Sequence, residues 1–209
     1  MSSKSVVWPV VHAEREALIR DLETVAPEQW ATPSLCAGWT VHDVLAHMID
    51  VATTTRLGFV RRMVAARGDF DRDNQTGVDR GRAQDPTDTL AAFRRVAGLT
   101  ATPPAPLATR LVEEFAHGED IRRPLGLHRD YPVEHVVTAL GYLAKTSQSW
   151  GGGKERAQGV RLLATDADTA IGDGPEVRGT AIALVLALSG RPVGRGELTG
   201  PGAAVMTAS

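Results

Sequence analysis

The sequence predicts a mainly α-helical protein, in which a helical bundle is followed by a small α/β domain. Through residues 1–150, apolar residues recur with the 3.6-residue period of a helix, and Pro and Gly interrupt the pattern at intervals. After residue 154 the pattern changes to a short apolar strand, a glycine-containing turn and one strongly apolar helix. Because three glycines at 151–153 separate the two regions, we expect a helical domain over 1–150 and an α/β domain over 154–209.

The first two helices are predicted from apolar spacing and from clear signals at their ends. Helix one is expected over residues 8–25, and Pro27 follows it as a residue that cannot continue a helix. Helix two is expected to begin after Thr40, whose side chain can cap the helix together with Asp43 three residues later. The apolar face of helix two continues to about Ala66.

The middle of the chain alternates between breaks and helices. Residues 67–85 are polar and contain glycine, which predicts a long loop. A third helix is expected after this loop, with Asp85 as N-cap and Pro86 at the first helical position. Helix four is expected over residues 107–123 and helix five over residues 132–150, each with proline or glycine at its ends.

The C-terminal region shows a different pattern. Residues 159–166 are typical of a strand, and the following GDGPE segment is typical of a turn. Residues 177–190 are predicted to form an apolar helix that ends at a glycine, and residues 194–205 a last strand or turn. These elements indicate the small α/β domain.

Composition excludes several classes of protein. A formal net charge of −2 over 209 residues gives no basic surface for nucleic acid. The longest apolar run, residues 181–188, is too short to cross a bilayer, which needs about 20 residues. Cys36 is the single cysteine, so no intrachain disulfide can form and a reducing compartment is expected. We therefore expect a cytoplasmic protein with neither nucleic acid nor membrane as a partner.

A possible metal site involves helices two and four. Glu113 and His117 are four residues apart and therefore project from one face of helix four, while helix two carries His47 beside its apolar face. A His–Glu–His set with open positions is typical of a catalytic zinc site or a comparable divalent site. The alternative is a solvated polar face with a local ion pair. A helical wheel also turns Glu113 away from the apolar stripe, whereas Glu114 flanks that stripe.

Two segments resemble a known family. The stretch LCAGWTVHDVLAHMID, residues 35–50, together with VEEFAHGEDIRRPLG, residues 112–126, is similar to the mycothiol-dependent maleylpyruvate isomerase family, within the DinB-like four-helix bundle superfamily. The resemblance covers most of residues 10–126, and residues 159–191 resemble the small C-terminal α/β domain of that family more loosely. The resemblance places metal ligands at the following residues: His47, Glu113 and His117.

The resemblance also implies a chemistry. The expected cofactor is a divalent metal, most simply zinc, with mycothiol as cosubstrate and an actinobacterial origin. The metal would hold the thiol sulfur as a thiolate, which attacks a small electrophilic substrate. In an isomerase the thiolate would add reversibly to a conjugated cis double bond and leave after rotation. Two alternatives stay open: a mycothiol S-transferase in detoxification, and a non-catalytic protein that binds a small ligand.

Other residues near these segments have simpler interpretations. Cys36 and Trp39 are expected to pack at the entrance of helix two rather than to react or to bind substrate. Asp43 is expected to act as a cap. Asp120 is equally consistent with orienting a histidine ligand and with pairing to a nearby arginine. Four more histidines show no partner in the sequence and are expected at the surface: His12, His42, His128 and His135.

Overall fold

A computed structural model describes residues 3–207 of the chain. The protein is mainly helical with a small three-stranded sheet, as the sequence predicts. The chain divides into two compact units, the first over residues 3–129 and the second from residue 130 onward.

The first unit is a pack of six helices, of which α2 to α5 follow one another with short connections. Helix α2 lies against three of the others, α4, α5 and α6, and α1 packs against α5 and α6. A 3-10 turn, Pro27–Ala31, lies between α1 and α2. The helices are α1 Lys4–Leu22, α2 Val41–Thr53, α3 Arg56–Ala65, α4 Phe70–Gly81, α5 Pro86–Val96 and α6 Ala108–Arg122.

The apolar core of this unit joins residues from several of the helices. Many of the side chains that the sequence pattern places on inner faces are buried and pack in one cluster, to which α3, described along its whole length, contributes none of its residues. This cluster includes Leu18 and Leu22 of α1, Val44 and Leu45 of α2, Phe93 of α5 and Ile121 of α6. The burial of this shared face fixes α2 and α6 relative to each other, and these two helices carry the predicted metal ligands.

The start of α2 confirms the predicted cap. The backbone N–H of Thr40 donates to Asp43 Oδ2 at 2.9 Å, and the backbone N–H of Asp43 donates to Thr40 Oγ1 at 3.3 Å. The two side chains therefore satisfy backbone donors that have no partner within the helix. This reciprocal cap fixes the residue at which the helix begins and so the face on which His47 lies.

Helix two is shorter than predicted. The apolar pattern continues to Ala66, but the helix breaks at Thr54 and a separate α3 follows. The hydroxyl groups of Thr53 and Thr54 donate to the carbonyl oxygen of Asp50, and Thr55 caps α3 by accepting from the backbone N–H of Gly58. Three consecutive threonines favour a break because their side chains compete for backbone partners.

The predicted loop over residues 67–85 is wrong, because most of it forms α4. Asp69 caps this helix by accepting from the backbone N–H of Arg72 at 3.0 Å. The buried Asp73 pairs with Arg62 of α3 at 2.8 Å. Gly77 lies so close to the Asp50 carboxyl that a Cβ there would meet it at 2.7 Å. Capping, ion pairs and close packing stabilise α4 in place of a wide apolar stripe, and a search for apolar periodicity therefore misses it.

The second unit contains a mixed sheet and the remaining helices. Strand β1 is central; it pairs antiparallel with β2 through Leu162 and Ile171, and parallel with β3 through Leu162 and Val177. Helix α8 packs on α7 and on the sheet. The elements are α7 Val133–Leu143, β1 Arg161–Ala164, β2 Thr169–Ile171, β3 Glu176–Gly179, α8 Ala181–Leu188 and α9 Ala203–Thr207.

Several element boundaries differ from the predicted ones. Helix one runs Lys4–Leu22 rather than 8–25, and helix five ends at Leu143 rather than at 150. The predicted helix over 177–190 begins only at Ala181, because residues before Thr180 form β3 and the Thr180 hydroxyl caps α8.

The compact units do not divide where the sequence places the domain boundary. The sequence assigns helix five to the bundle and puts the boundary at 151–153, whereas α7 belongs to the second unit, where it packs against α8. Among the described residues, no helix combines the length and the apolar character that a bilayer span requires.

Candidate metal centre

The three predicted metal ligands meet in the first unit. His47 lies on α2, and Glu113 and His117 lie one turn apart on α6. Glu113 Oε2 is 3.1 Å from His117 Nε2 and 3.9 Å from His47 Nε2. One ligand atom from each residue lies within 4.8 Å of the other two. These donors could converge on a single cation after small side-chain movements.

The burial of the three side chains differs in a way that suits a reactive site. His47 and His117 are almost completely buried, so neighbouring residues hold their imidazoles in place. The Glu113 side chain is 28 % exposed, which leaves an opening on its side of the cluster. A buried pair of imidazoles with one accessible carboxylate can hold an ion and still admit a small molecule.

Asp120 orients His117. Its carboxylate Oδ2 lies 2.9 Å from His117 Nδ1, and Asp120 is fully buried on the same helix. Because a carboxylate accepts hydrogen bonds, Nδ1 carries a proton and donates to Asp120, and Nε2 is the nitrogen that faces Glu113 and His47. Of the two roles that the sequence left open for Asp120, the structure shows the contact to the histidine.

The charged groups around the cluster shift the pKa values of His117 and Glu113. Burial alone would lower the pKa of His117, but the hydrogen bonds to Asp120 and Glu113 outweigh it and raise that pKa to about 9. Burial would likewise raise the pKa of Glu113, but the hydrogen bond and charge of His117, with the charges of Arg110 and His47, hold that pKa well below its usual range. Glu113 is therefore ionised at neutral pH, and a bound cation would replace the His117 proton.

Glu114 does not join the cluster. It is buried and accepts a hydrogen bond from Nε of Arg15 on α1 at 2.8 Å. Arg15 also donates to the carbonyl oxygens of Ala97 and Leu99. The helical wheel correctly places Glu114 beside the apolar stripe, but Arg15 binds it there, and Glu113 is the carboxylate beside the histidines.

A comparison with known families matches most of the first unit and the beginning of the second. The family model described as the mycothiol maleylpyruvate isomerase N-terminal domain matches residues 11–137, more than half of the chain. The chain belongs to this family. The match confirms the family that the sequence motifs indicate, and its range contains all three predicted ligands.

Solved structures related to this family share the fold. The crystal structure of the mycothiol-dependent maleylpyruvate isomerase is similar with a TM-score of 0.64 and 18 % sequence identity. The crystal structure of its histidine-to-alanine mutant is similar with a TM-score of 0.64 and 17 % identity. Each comparison covers 94 % of this chain and 92 % of the other. At 17 and 18 % sequence identity, this structural similarity shows that the chain and these proteins share a fold. No curated protein sequence matches the chain significantly.

Trp39 forms a wall beside the cluster in this member of the mycothiol maleylpyruvate isomerase family. Its ring lies 5.0 Å from the His47 imidazole, centre to centre, and it also packs against the apolar core. Its indole N–H donates to Gln75 Oε1 of α4 at 3.1 Å. Trp39 thus serves as the expected packing residue and also shields one side of His47. Cys36 is half-buried against the same core.

The sequence gives no role to two residues of this family member that the structure buries, one on α6 and one on α2. Arg110 is buried one turn before Glu113, and its spacing from Glu113 is the signal that the sequence offered. His42 was expected at the surface, and this is wrong. It is buried on α2, and its Nε2 lies 2.7 Å from the hydroxyl of Thr89 on α5, which the sequence does not place nearby.

Proposed function

We propose that this chain is a metal-dependent enzyme that uses a low-molecular-weight thiol, mycothiol or a close relative, in a maleylpyruvate isomerase type of reaction. The observation that carries the proposal is the meeting of His47, Glu113 and His117 in a member of this family. These three residues would hold one divalent ion. Zinc is the expected metal, because two imidazoles and a carboxylate form a common catalytic zinc site.

The surroundings of the three residues support a catalytic role. Structural zinc sites are closed by four protein ligands, whereas catalytic sites have three and keep a position for water or substrate. Among the described residues, one His–Glu–His group has ligand atoms close enough for an ion, and it offers three donors. The partial exposure of Glu113 gives a small molecule access to that position.

The chain's own residues would prepare the site in specific ways. Asp120 accepts a hydrogen bond from the Nδ1–H of His117 and thereby turns Nε2 toward the other two donors. Trp39 covers one side of the His47 imidazole and limits the access of water there. When bound, the metal would supply positive charge that keeps a thiol sulfur deprotonated near neutral pH, where a free thiol of pKa about 8.5 is mostly protonated.

The reaction we propose is a thiol-assisted change of double-bond geometry. The thiolate adds to a conjugated cis double bond, and the former double bond rotates as a single bond. Expulsion of the thiolate then restores the double bond in the trans form, so the thiol is regenerated and no atom is gained or lost. The expected partners are therefore one small thiol and one small electrophilic substrate, in a reducing cytoplasm where such thiols persist.

The proposal is tested by metal content and thiol-dependent turnover. Purified protein should carry about one zinc per chain and should isomerise maleylpyruvate only when mycothiol is added. Removal of the metal with a chelator should abolish turnover, and added zinc should restore it. His47→Ala and His117→Ala should each lose most of the metal while the helical circular dichroism signal persists.

Two controls make this test specific. His128→Ala removes an exposed imidazole of the same unit and should keep metal and activity. Cys36→Ser should also retain activity, because the reacting sulfur belongs to the cosubstrate. Full metal retention in both ligand variants would contradict the site, and activity that needs Cys36 but no added thiol would contradict the chemistry. A product that keeps the thiol attached would instead identify an S-transferase.

A further inference from the structure

Arg110 is a buried cation beside the proposed metal site. It lies in the first turn of α6, three residues before Glu113, and only 3 % of it is exposed. A buried arginine is normally paired closely with a carboxylate, because removing an isolated charge from water is costly. We therefore expect a carboxylate close to the guanidinium of Arg110.

The contacts of Arg110 point toward Glu113. Its Nη2 lies 3.7 Å from Glu113 Oε1, a charge contact that is longer than a hydrogen bond. Its Nε donates weakly to the hydroxyl of Thr109 at 3.3 Å. Within residues 3–207, its Nη1 has no hydrogen-bond partner. Glu113 is thus the carboxylate that Arg110 contacts.

The neighbouring carboxylate lies near Arg110 but is not its ion-pair partner. Glu114 Oε1 accepts from Arg15 at 2.8 Å, and in the part of the chain that the structure describes, Glu114 forms no ion pair with Arg110. Burial raises the pKa of Glu114, and the charges of Arg15 and Arg110 oppose this rise. The two adjacent glutamates therefore form ion pairs with different arginines. Arg15 holds the buried Glu114, and Arg110 faces the carboxylate of the metal cluster.

The two oxygens of Glu113 face different partners. Oε2 faces the histidines, at 3.1 Å from His117 Nε2 and 3.9 Å from His47 Nε2, whereas Oε1 faces Arg110. A turn of the carboxylate that brought both oxygens toward the histidines would draw Oε1 away from the guanidinium. Because Arg110 is buried, this loss would not be offset by water.

We infer that Arg110 is a positioning residue that holds Glu113 Oε1 back, so that the carboxylate offers Oε2 alone to a bound cation. The inference rests on the proposed function, since it assumes that Glu113 binds a metal. A carboxylate that binds through one oxygen uses one coordination position fewer than one that binds through two. Arg110 would therefore preserve a position for the incoming thiol.

The binding mode of the carboxylate can be measured by infrared difference spectroscopy. Spectra of zinc-loaded minus metal-free full-length protein report the antisymmetric and symmetric carboxylate stretches, and Glu113→Gln identifies the bands of Glu113. The separation between the two stretches is wide for binding through one oxygen and narrow for binding through both. We expect a wide separation in the wild type and a narrow one in Arg110→Met. Arg110→Lys, which keeps the charge, should restore the wide separation.

Zinc affinity is a second measurement. In Arg110→Met it should increase if Arg110 acts through its charge on the site, and decrease if Arg110 contributes only to packing. Removal of a nearby positive charge should tighten zinc binding in Arg110→Met by about fivefold, since like charges repel even where water screens them. A loss of packing would weaken binding instead. Arg94→Met, which breaks an exposed pair between Arg94 of α5 and Glu23 at the end of α1, should change neither the bands nor the affinity.

Each outcome decides the inference. A narrow band separation in the wild type overturns it without any variant, even if Arg110→Met fails to fold. Unchanged bands in zinc-loaded Arg110→Met, or weaker zinc binding by a folded Arg110→Met, also overturn it. If the wild type binds no zinc, the proposed function fails first. Zinc binding through both oxygens would leave the proposed function intact and remove only the role of Arg110.

Discussion

At the scale of single residues, two neighbouring glutamates on α6 have different tasks. Adjacent residues on an α-helix project about 100° apart, so they face different surroundings. Glu113 meets His47 and His117, while Glu114 lies against α1 and binds Arg15. Identical side chains one position apart thus serve a candidate ligand set and a structural ion pair.

Substitution of Glu113 should therefore reduce zinc affinity, whereas substitution of Glu114 should reduce the stability of the fold. Glu113→Gln is expected to weaken zinc binding by at least about tenfold, because it removes a charged donor. Glu114→Gln should keep zinc affinity in the folded protein but lower the free energy of unfolding by about 3 kcal/mol, because Arg15 loses its buried counter-charge. Chelator competition and urea unfolding measure the two effects. The reverse ranking of zinc affinities would make Glu114 the ligand.

The buried His42 gives a pH dependence that is independent of the metal site. Burial is the main cause that lowers the pKa of His42, and the positive charge of Arg82 adds to it. The folded protein therefore favours the neutral imidazole, while the unfolded chain takes up a proton near pH 6.5. The stability from neutral His42 is complete above pH 6.5 and is lost as pH falls through the lower folded pKa.

The test compares the wild type with His42→Gln, which keeps a hydrogen-bonding partner for Thr89 but does not titrate. The free energy of unfolding, measured with chelator present, should fall less steeply below pH 6.5 in the variant than in the wild type. Equal slopes in both proteins would show that His42 does not contribute to acid sensitivity.

At the scale of helices, the close approach of α4 to α2 controls where His47 lies. Gly81 is at the end of α4, and a Cβ there would meet the carbonyl oxygen of Ala46 at 2.7 Å. A backbone atom cannot rotate away as a side chain can, so a larger residue must push the helices apart. Ala46 directly precedes His47, and the spacing of the helices is therefore coupled to the ligand cluster.

Gly81→Ala should destabilise the protein by about 1–3 kcal/mol and weaken zinc binding, because the added methyl overpacks the contact with α2. Gly141→Ala is the matched control, because a Cβ at that position of α7 meets nothing within 4 Å. It should be neutral or slightly stabilising, since alanine favours helix more than glycine does. Thermal unfolding and a zinc titration of both variants measure the difference.

The helices also show which features a sequence can predict. The cap of α2, the start of α5 after Asp85 and the extent of α6 follow from local signals, and the structure agrees with them. Helix α4 does not follow, because it depends on contacts with α2 and α3 that local composition does not contain. The partner of Glu114 could not be predicted either, since Arg15 is far away in the sequence. The His–Glu–His set follows from the four-residue spacing of Glu113 and His117 together with the resemblance to a family, whereas the helical wheel alone favours Glu114; its role as a ligand set stays a prediction.

At the scale of the whole molecule, the ligand cluster joins distant parts of the chain. His47 belongs to α2, whereas Glu113 and His117 belong to α6, with three other helices between them in the sequence. An ion bound by both helices would favour the folded state, because the unfolded chain does not hold these donors together.

Zinc should therefore raise the unfolding temperature of the wild type. Free zinc at about 100 times its Kd adds about 2.7 kcal/mol to the free energy of unfolding, if the unfolded chain does not bind it. Calorimetry at increasing zinc concentration should show an unfolding temperature that rises in the wild type and stays constant in His47→Ala. An equal rise in both proteins would indicate zinc binding elsewhere on the chain.

Helix α3 is attached to the rest of the first unit mainly through polar contacts. None of its residues, all of which the structure describes, is fully buried. Its Arg62 binds Asp50 of α2 at 2.6 Å and Asp73 of α4 at 2.8 Å. The amide hydrogens of α3 should therefore exchange with deuterium before those of α2 and α6, through an opening that leaves the apolar core closed. Because the side chains of these ion pairs are mostly buried, salt screens them weakly and should change the exchange of α3 little.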